Sequence, residues 1–369
     1  MEFNLLRQTS IALRSWKRVC RVAVLLSLFI HLALAGPVPL TADAQNEQVK
    51  HRGLISIQID NDIFASTDRD YSNGLRLTWV SPDLAANKAD FRFPGWLYSL
   101  SKMSPFIRSG SQKRISIFFG QNIYTPADIE RSALIEDDRP YAGLAYVGVG
   151  VHSRDIRAMD TVEFELGIVG PHSFAEQAQK FVHSLFNFTH PNGWDNQLHD
   201  ELALEALFEH KWKLLDSGAR RGFGYDLLSH LGVGLGNVYI GSGAGIEARF
   251  GLNLPDDFGT FHFGTNNRSG IASTSGKQET PLSPQNRFGI HFLLGVKGET
   301  VLRDIFLDGN TFGRSHSVEK RNLIANAFAG VTVASGRFRI SYKYVYSTKR
   351  FTTQKRQQIY GQINLSFSY

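Results

Sequence analysis

Apolar and polar side chains alternate along most of this chain, with charges on the polar side, and that pattern limits the fold more than any other feature. In 161–169, Val162, Phe164, Leu166 and Ile168 share one face and Glu163 and Glu165 the other. In 201–213, Leu202, Leu204, Ala206 and Phe208 oppose Glu201, Glu205 and Glu209. Successive side chains of a strand point to opposite faces, so each segment reads as a half-buried strand. The same period recurs at 54–62, 72–81, 114–121, 142–152, 223–234, 243–251, 288–298, 321–334, 337–347 and 358–369, about twelve strands in all. An even number suits a single all-β, antiparallel transmembrane barrel, with apolar faces to lipid and polar faces to a lumen. A soluble sandwich also buries one face of each strand, so alternation alone leaves both folds open.

The two ends of the chain favour the membrane barrel. Arg7, Arg14, Lys17, Arg18 and Arg21 precede an apolar run from Val22 to Ala35 that is short for a membrane span, and Ala33-Leu34-Ala35 is a small-x-small cleavage site. Residues 1–35 therefore read as a secretory signal peptide, 36–53 as a periplasmic lead-in and 54–369 as the barrel. Cleavage would leave 35 basic and 33 acidic residues, a net charge of +2, which removes the basic excess that a nucleic-acid partner would need. The only cysteine, Cys20, would leave with the leader, and with it any disulfide or thiol nucleophile. At the other end Ile363, Leu365, Phe367 and Tyr369 alternate with Asn364, Ser366 and Ser368. A terminal amphipathic strand with a final aromatic resembles the signal read by the outer-membrane barrel assembly machinery. A monomer is expected.

With both termini in the periplasm, odd strands run outward. The loops 63–71, 122–141, 170–200, 235–242, 299–320 and 348–357 then face outside. Segments 82–113 and 252–287 are long for periplasmic turns, and a further strand pair would fit near 258–280. Loop 170–200 should hold a short helix, with Ser173 and Glu176 as a capping box. Phe174, Ala178, Phe181, Val182 and Leu185 would form its apolar stripe, laid against the barrel rim, the lipid or its own loop. Glu176, Gln179, Lys180 and His183 would lie on the polar side.

Polar residues collect at the outward ends. Between the first two strands come Asp60, Asn61, Asp62, Thr67, Asp68, Asp70, Ser72 and Asn73, an oxygen-rich set that suits a hard cation such as calcium and equally suits a solvated hairpin. Asn61 and Asp62 are consecutive, so a bulge or the strand's end must re-aim one of them. Asp137 and Asp138 with Arg139 read as a loop pin, and Trp79 and Trp194 as interfacial girdle residues. There is no G-x-S-x-G, and the adjacent Ser229 and His230 should face opposite ways in a strand, which leaves no serine dyad there.

Several of these stretches, in one order, resemble the lipid A 3′-O-deacylase family. They are D-N-D-I-F from Asp60, T-D-R-D-Y-S-N-G-L-R-L from Thr67, G-Q-N-I-Y-T-P from Gly120, D-D-R-P-Y-A-G from Asp137, G-P-H-S-F-A-E-Q-A-Q-K-F-V-H from Gly170 and G-W-D-N-Q-L from Gly193. The resemblance implies an outer-membrane enzyme with its site facing outward, acting on lipopolysaccharide. It would remove the 3′-linked acyloxyacyl group of lipid A by a histidine-activated water, with Ca2+ at the oxyanion. The residues carried over are Asn61, Asp62, Ser72 (where many members have threonine), Gln121, Asn122, Gln179 and His183. Asp62, Asn61 and Glu176 are the expected metal ligands, and His172 is the second choice of base. A lysine used by the family has no clear counterpart here, and Lys180 and Arg139 are the cations placed to meet lipid A phosphates. An outer-membrane phospholipase and a non-enzymatic pore or scaffold are the competing functions.

Overall fold

The computed structural model describes residues 53–62, 73–84, 112–218, 221–259 and 288–369. Twelve strands there form a closed antiparallel barrel. They are β1 (Leu54–Asn61), β2 (Asn73–Val80), β3 (Gln112–Tyr124), β4 (Ala142–Arg154), β5 (Ala158–Val169), β6 (Glu201–Asp216), β7 (Phe223–Gly236), β8 (Tyr239–Leu252), β9 (Phe288–Asp304), β10 (Leu323–Ser335), β11 (Phe338–Ser347) and β12 (Gln358–Ser368). Each strand pairs with its sequence neighbours, and β12 closes on β1 from Leu54↔Ser368 to Asn61↔Gly361. The final Tyr369 seals this seam: its hydroxyl donates to the Val80 carbonyl at 3.3 Å, and its ring occupies the space a Cβ on Gly53 would need. Two helices with α-helical geometry are described, α1 (Ala175–Phe186) and α2 (Ile305–Asp308). The segments read as leader and lead-in, residues 1–52, lie outside the described residues, as do 63–72, 85–111 and 260–287.

Burial separates a barrel from a sandwich. Glu205 and Glu209 are 6% and 8% exposed, whereas Leu202 and Leu204 are 57% and 53% exposed. Charges inside and apolar side chains outside are what a lipid-embedded barrel requires. The lumen is packed with paired charges. Arg76 on β2 donates to both oxygens of Glu163 on β5 at 3.0 Å, and its guanidinium lies 3.7 Å from the Phe118 ring centroid on β3. Buried charges persist only when paired in this way.

The outward loop expected at 235–242 shrinks to Asn237 and Val238. Glycines carry no face, so alternation fades between Gly232 and Gly245 although the strands continue. They are needed there: a Cβ on Gly241 would stand 2.5 Å from the hydroxyl of buried Tyr239.

Chain enters the barrel at both ends. At the end that carries α1, the α2 turn enters the mouth and Phe306 stacks on Tyr124, with ring centroids 3.8 Å apart. Ile305, Phe306 and Leu307 are all buried, and Asp304 caps the turn through the Phe306 N–H at 3.1 Å. At the opposite end residues 253–259 tuck inward and bury Leu254 and Phe258. Phe258 lies beneath the Arg154 and Lys213 cations, 5.1 and 5.3 Å from its centroid.

Asp257 ties this second plug to the wall by accepting from Arg249 on β8 and from Arg339 on β11, the latter at 2.9 Å. Burial alone would raise its carboxyl pKa, but Arg249 and Arg339 outweigh burial and hold it well below the usual carboxylate range. A depressed carboxylate stabilises the folded state fully above its unfolded pKa of about 4 and loses that effect only as pH falls further. The stability difference between the wild type and Asp257→Asn is therefore expected to stay constant from neutral pH to about pH 4 and to shrink below it. Urea unfolding followed by heat-modifiable gel mobility checks this. A difference that vanished near pH 6 would contradict the pairing.

Candidate active site on the barrel wall

The candidate residues divide by strand parity. On β3, Phe118, Gly120 and Asn122 face the lumen, while Gln121 and Ile123 face the exterior. Register places Ile123 between Asn73 on β2 and Gly143 on β4, and one position past the Asp60↔Gly74 pair puts Asn61 beside Asn73. Asn61, Asn73, Ile123 and Gly143 thus form one exterior row across four strands at the α1 end.

α1 lies on this row. Its first turn sits directly on Gly143, where a Cβ would stand 2.1 Å from Ser173 Oγ and 2.2 Å from Ala175 Cβ. Gln121 fastens the same point by donating from Nε2 to the Ser173 carbonyl at 2.6 Å. Ile123, Ala175, Tyr141, Trp194 and Ile129 form an apolar cluster beneath the helix. Burial pushes the Tyr141 phenol up to about 12, which keeps it a neutral donor to the Ile129 carbonyl at 3.1 Å.

The face of α1 turned to the barrel consists of Ala175, Gln179 and His183, all buried. Phe174, Phe181 and Leu185 are more than 60% exposed. The expected stripe is thus split: Phe174, Phe181 and Leu185 point away from the protein, while Ala178 packs on the cluster beneath the helix and Val182 is half-buried. The expected capping box is absent. Phe174, in the left-handed region at φ 57°, is the N-cap, and Ser173 Oγ donates instead to the Gly170 carbonyl at 2.6 Å.

The two buried polar residues of α1 are each held on one side. Trp194 Nε1 donates to Gln179 Oε1 at 2.8 Å, and Gln179 Nε2 is buried with no partner among the described residues. The expectation of Trp194 as a girdle residue fails, because its indole is needed to orient this amide. His183 Nδ1 bonds the Thr189 carbonyl, and a carbonyl only accepts, so Nδ1 carries the proton and Nε2 is left as the basic nitrogen. Phe188 meets the imidazole edge-on at 5.7 Å.

The other expected residues are placed differently. β1 ends at Asn61 without a bulge, and Asp62 follows it with its side chain buried. Asn122 is fully buried on the lumen side, opposite Gln121, and neither of its amide atoms has a partner among the described residues. Glu176 lies at the edge of the buried helix face and pairs with Lys180 at 2.5 Å. His172 is 71% exposed and pairs with Asp200, away from the α1 face. Arg139 is buried near the Tyr124 and Phe351 rings, 5.7 Å from each centroid, which withdraws it from any surface phosphate. The neighbouring loop is pinned by Asp138, which accepts from the Ala127 and Arg139 amides at 2.8 Å. Ser72 lies outside the described residues.

Asn73 is counted in the oxygen-rich set between the first two strands but not among the expected metal ligands. Its Oδ1 is buried with no partner among the described residues, in the same row as Asn61. No group of three or more His, Cys, Asp or Glu that could hold a metal exists among the described residues. The oxygens that are present, the Asp62 carboxylate and the Asn61 and Asn73 amides, are nonetheless hard donors of the kind calcium takes. The orphaned Asn73 oxygen is the observation that such a cation would answer.

The profile of the family described as "Outer membrane protein LpxR" matches residues 24–369. Among solved structures, LpxR from Salmonella typhimurium matches with a TM-score of 0.67 at 16% identity, covering 85% of this chain and 99% of that one. The β domain of the Bordetella autotransporter BrkA matches with a TM-score of 0.41 at 9% identity, covering 87% and 100%. The translocator domain of NalP from Neisseria meningitidis matches at 0.38 and 10% identity, covering 96% and 99%, and neither of these two bears on the site. No curated protein sequence matches. A family match over nearly the whole chain, joined to a twelve-stranded barrel with an apolar exterior, places this chain in the LpxR family of outer-membrane proteins.

Proposed function

We propose that this barrel is a lipid A deacylase that removes the 3′-linked acyloxyacyl group on the outer face of the outer membrane. One observation carries the reading. A histidine with a defined tautomer and a glutamine with an unused amide are buried between the barrel wall and a helix whose other side is apolar and exposed. Phe181 and Leu185 then meet acyl chains, and an ester at the level of the glucosamine reaches His183 from the lipid side. The protein is made with a cleavable leader, is inserted through its terminal strand by the barrel assembly machinery, and has its α1 end outside.

His183 Nε2 takes a proton from water as the water oxygen attacks the ester carbonyl carbon. The Nδ1–H···O bond to Thr189 holds the ring and stabilises the imidazolium. The tetrahedral intermediate collapses with cleavage of the bond to the sugar 3-oxygen, which receives the proton back from Nε2. Gln179 Nε2 offers a hydrogen bond to an acyl oxygen, and Gln121 holds the helix at its working distance. Calcium bound by Asp62, Asn61 and Asn73 would supply Lewis-acid stabilisation of the oxyanion.

The test is mass spectrometry of lipid A incubated with the solubilised protein. Loss of one acyloxyacyl unit in calcium and its abolition by EDTA are expected. Hydrolysis of glycerophospholipids with no change to lipid A would favour the phospholipase reading. The pore reading is disfavoured by the α2 turn and residues 253–259, which bury Phe306 and Phe258 at the two ends of the barrel.

A further inference from the structure

We infer that the loops above β9–β12 form a docking platform for the phosphorylated sugar headgroup of the substrate, an inference that rests on the deacylase reading. Segments 314–322 and 348–357 carry seven Lys and Arg against one acid, Glu319. Lys320 is spent on Asp308 at 2.9 Å, and Arg350 is buried. The other five, Arg314, Arg321, Lys349, Lys355 and Arg356, have no carboxylate partner among the described residues, and all but the half-buried Lys349 are exposed.

These cations are held on a built surface. Arg321 N donates to the Arg350 carbonyl at 2.7 Å, and Thr352 N to the Glu319 carbonyl at 2.9 Å, so the two loops move as one. Phe351 is buried beneath them, and Gln354 anchors the turn by accepting from Arg350 N at 2.6 Å.

Barrel closure gives the platform its purpose. β12 follows the 348–357 loop and is the direct neighbour of β1, with Asn61 opposite Gly361. Gln358 is three residues beyond that pair, so the loop rises about 10 Å further out, beside the exterior row that begins at Asn61. The loop above β3–β4 has the opposite sign: 126–138 carries Asp128, Glu130, Glu136, Asp137 and Asp138 against Arg131 alone. A polyanionic headgroup is attracted to one side of the site and repelled from the other, which orients the lipid before its ester is engaged. Arg and Lys meet phosphate through charge-assisted hydrogen bonds.

The experiment compares the full-length wild type with Arg321→Glu/Lys355→Glu/Arg356→Glu. Both are tested on bisphosphorylated and on dephosphorylated lipid A in mixed micelles, at low and high salt. The expected result is a KM raised about tenfold or more for the phosphorylated lipid, kcat within twofold, and no difference for the dephosphorylated lipid or at high salt. Equal KM values for the two proteins, or equal weakening on both lipids, would overturn the platform. Vesicle flotation with the same lipids reads binding without cleavage. Phosphate-dependent flotation lost in the triple variant supports the platform even if no ester is cut, in which case only the enzymatic reading fails. Inorganic phosphate that displaced the vesicles at micromolar concentration would show a generic anion site and overturn the assignment to a headgroup.

Discussion

His183→Ala is expected to slow acyl release from lipid A by about two to four orders of magnitude, the range over which general bases act, while the barrel still folds. The residue lies on a helix outside the barrel wall, so its loss removes no strand pairing. Its ring is held by the Thr189 carbonyl, and that contact specifies which nitrogen works. The discriminating control is His172→Ala. That imidazole also has a carboxylate orienter, Asp200, with His172 Nδ1 2.5 Å from Asp200 Oδ2, and a histidine–aspartate pair has the look of a catalytic dyad. It is solvent-exposed and has no place on the buried α1 face, so its alanine variant should keep nearly full activity. Single-turnover deacylation measured by mass spectrometry separates the two. Activity that survived His183→Ala and failed in His172→Ala would move the site to the Asp200 side of the loop.

How much of this was legible in the sequence depends on which physical rule applies where. Period two is a property of every strand, so the register faces of β5 and β6 could be read from Glu163, Glu165, Glu205 and Glu209 alone, and all four point inward. The same rule shows why Gln121 and Asn122 cannot both lie on the wall: neighbours in a strand face opposite ways, and the structure sends Asn122 to the lumen. The apolar stripe of α1 was visible, and a lipid-facing setting was among those open to it, but the choice between settings was not. Amphipathicity predicts burial of the apolar side only when water is the solvent, and on the exterior of a membrane barrel the solvent is lipid. Phe181 and Leu185 therefore face out, and Gln179 and His183 face the protein. Trp194 was misread for the related reason that an amphipathic ring suits an interface as well as a buried hydrogen bond. The left-handed Phe174 that replaces the capping box has no sequence signal, and the Ser173 hydroxyl turns back to the Gly170 carbonyl three residues earlier instead of capping the helix.

Gly143→Val is expected to cost at least about a hundredfold in activity without touching any residue that handles the substrate. Gly143 is on the exterior face of β4, and its strand partners are backbone contacts that valine preserves. Its missing side chain is what lets α1 approach. A Cβ there would stand 2.2 Å from Ala175 Cβ and 2.1 Å from Ser173 Oγ. Carbon atoms pack at about 3.5 Å, so the first turn of the helix must lift by roughly 1 Å or more. Neither obstacle can swing away: Ala175 has no rotamer, and Ser173 is held at both ends, by Gly170 through its hydroxyl and by Gln121 through its carbonyl. The lift carries Gln179 and His183 away from the wall on a rigid helix, and a misplacement of about 1 Å is enough for a loss of this size. Gly143→Ala should show a smaller loss in the same direction, and Gln121→Ala, which releases the tether without adding bulk, a smaller one still. Normal heat-modifiable mobility in all three variants, with kcat falling in that order, would establish that the spacing between helix and barrel sets the rate. Full activity in Gly143→Val would mean that α1 is not where the chemistry is positioned.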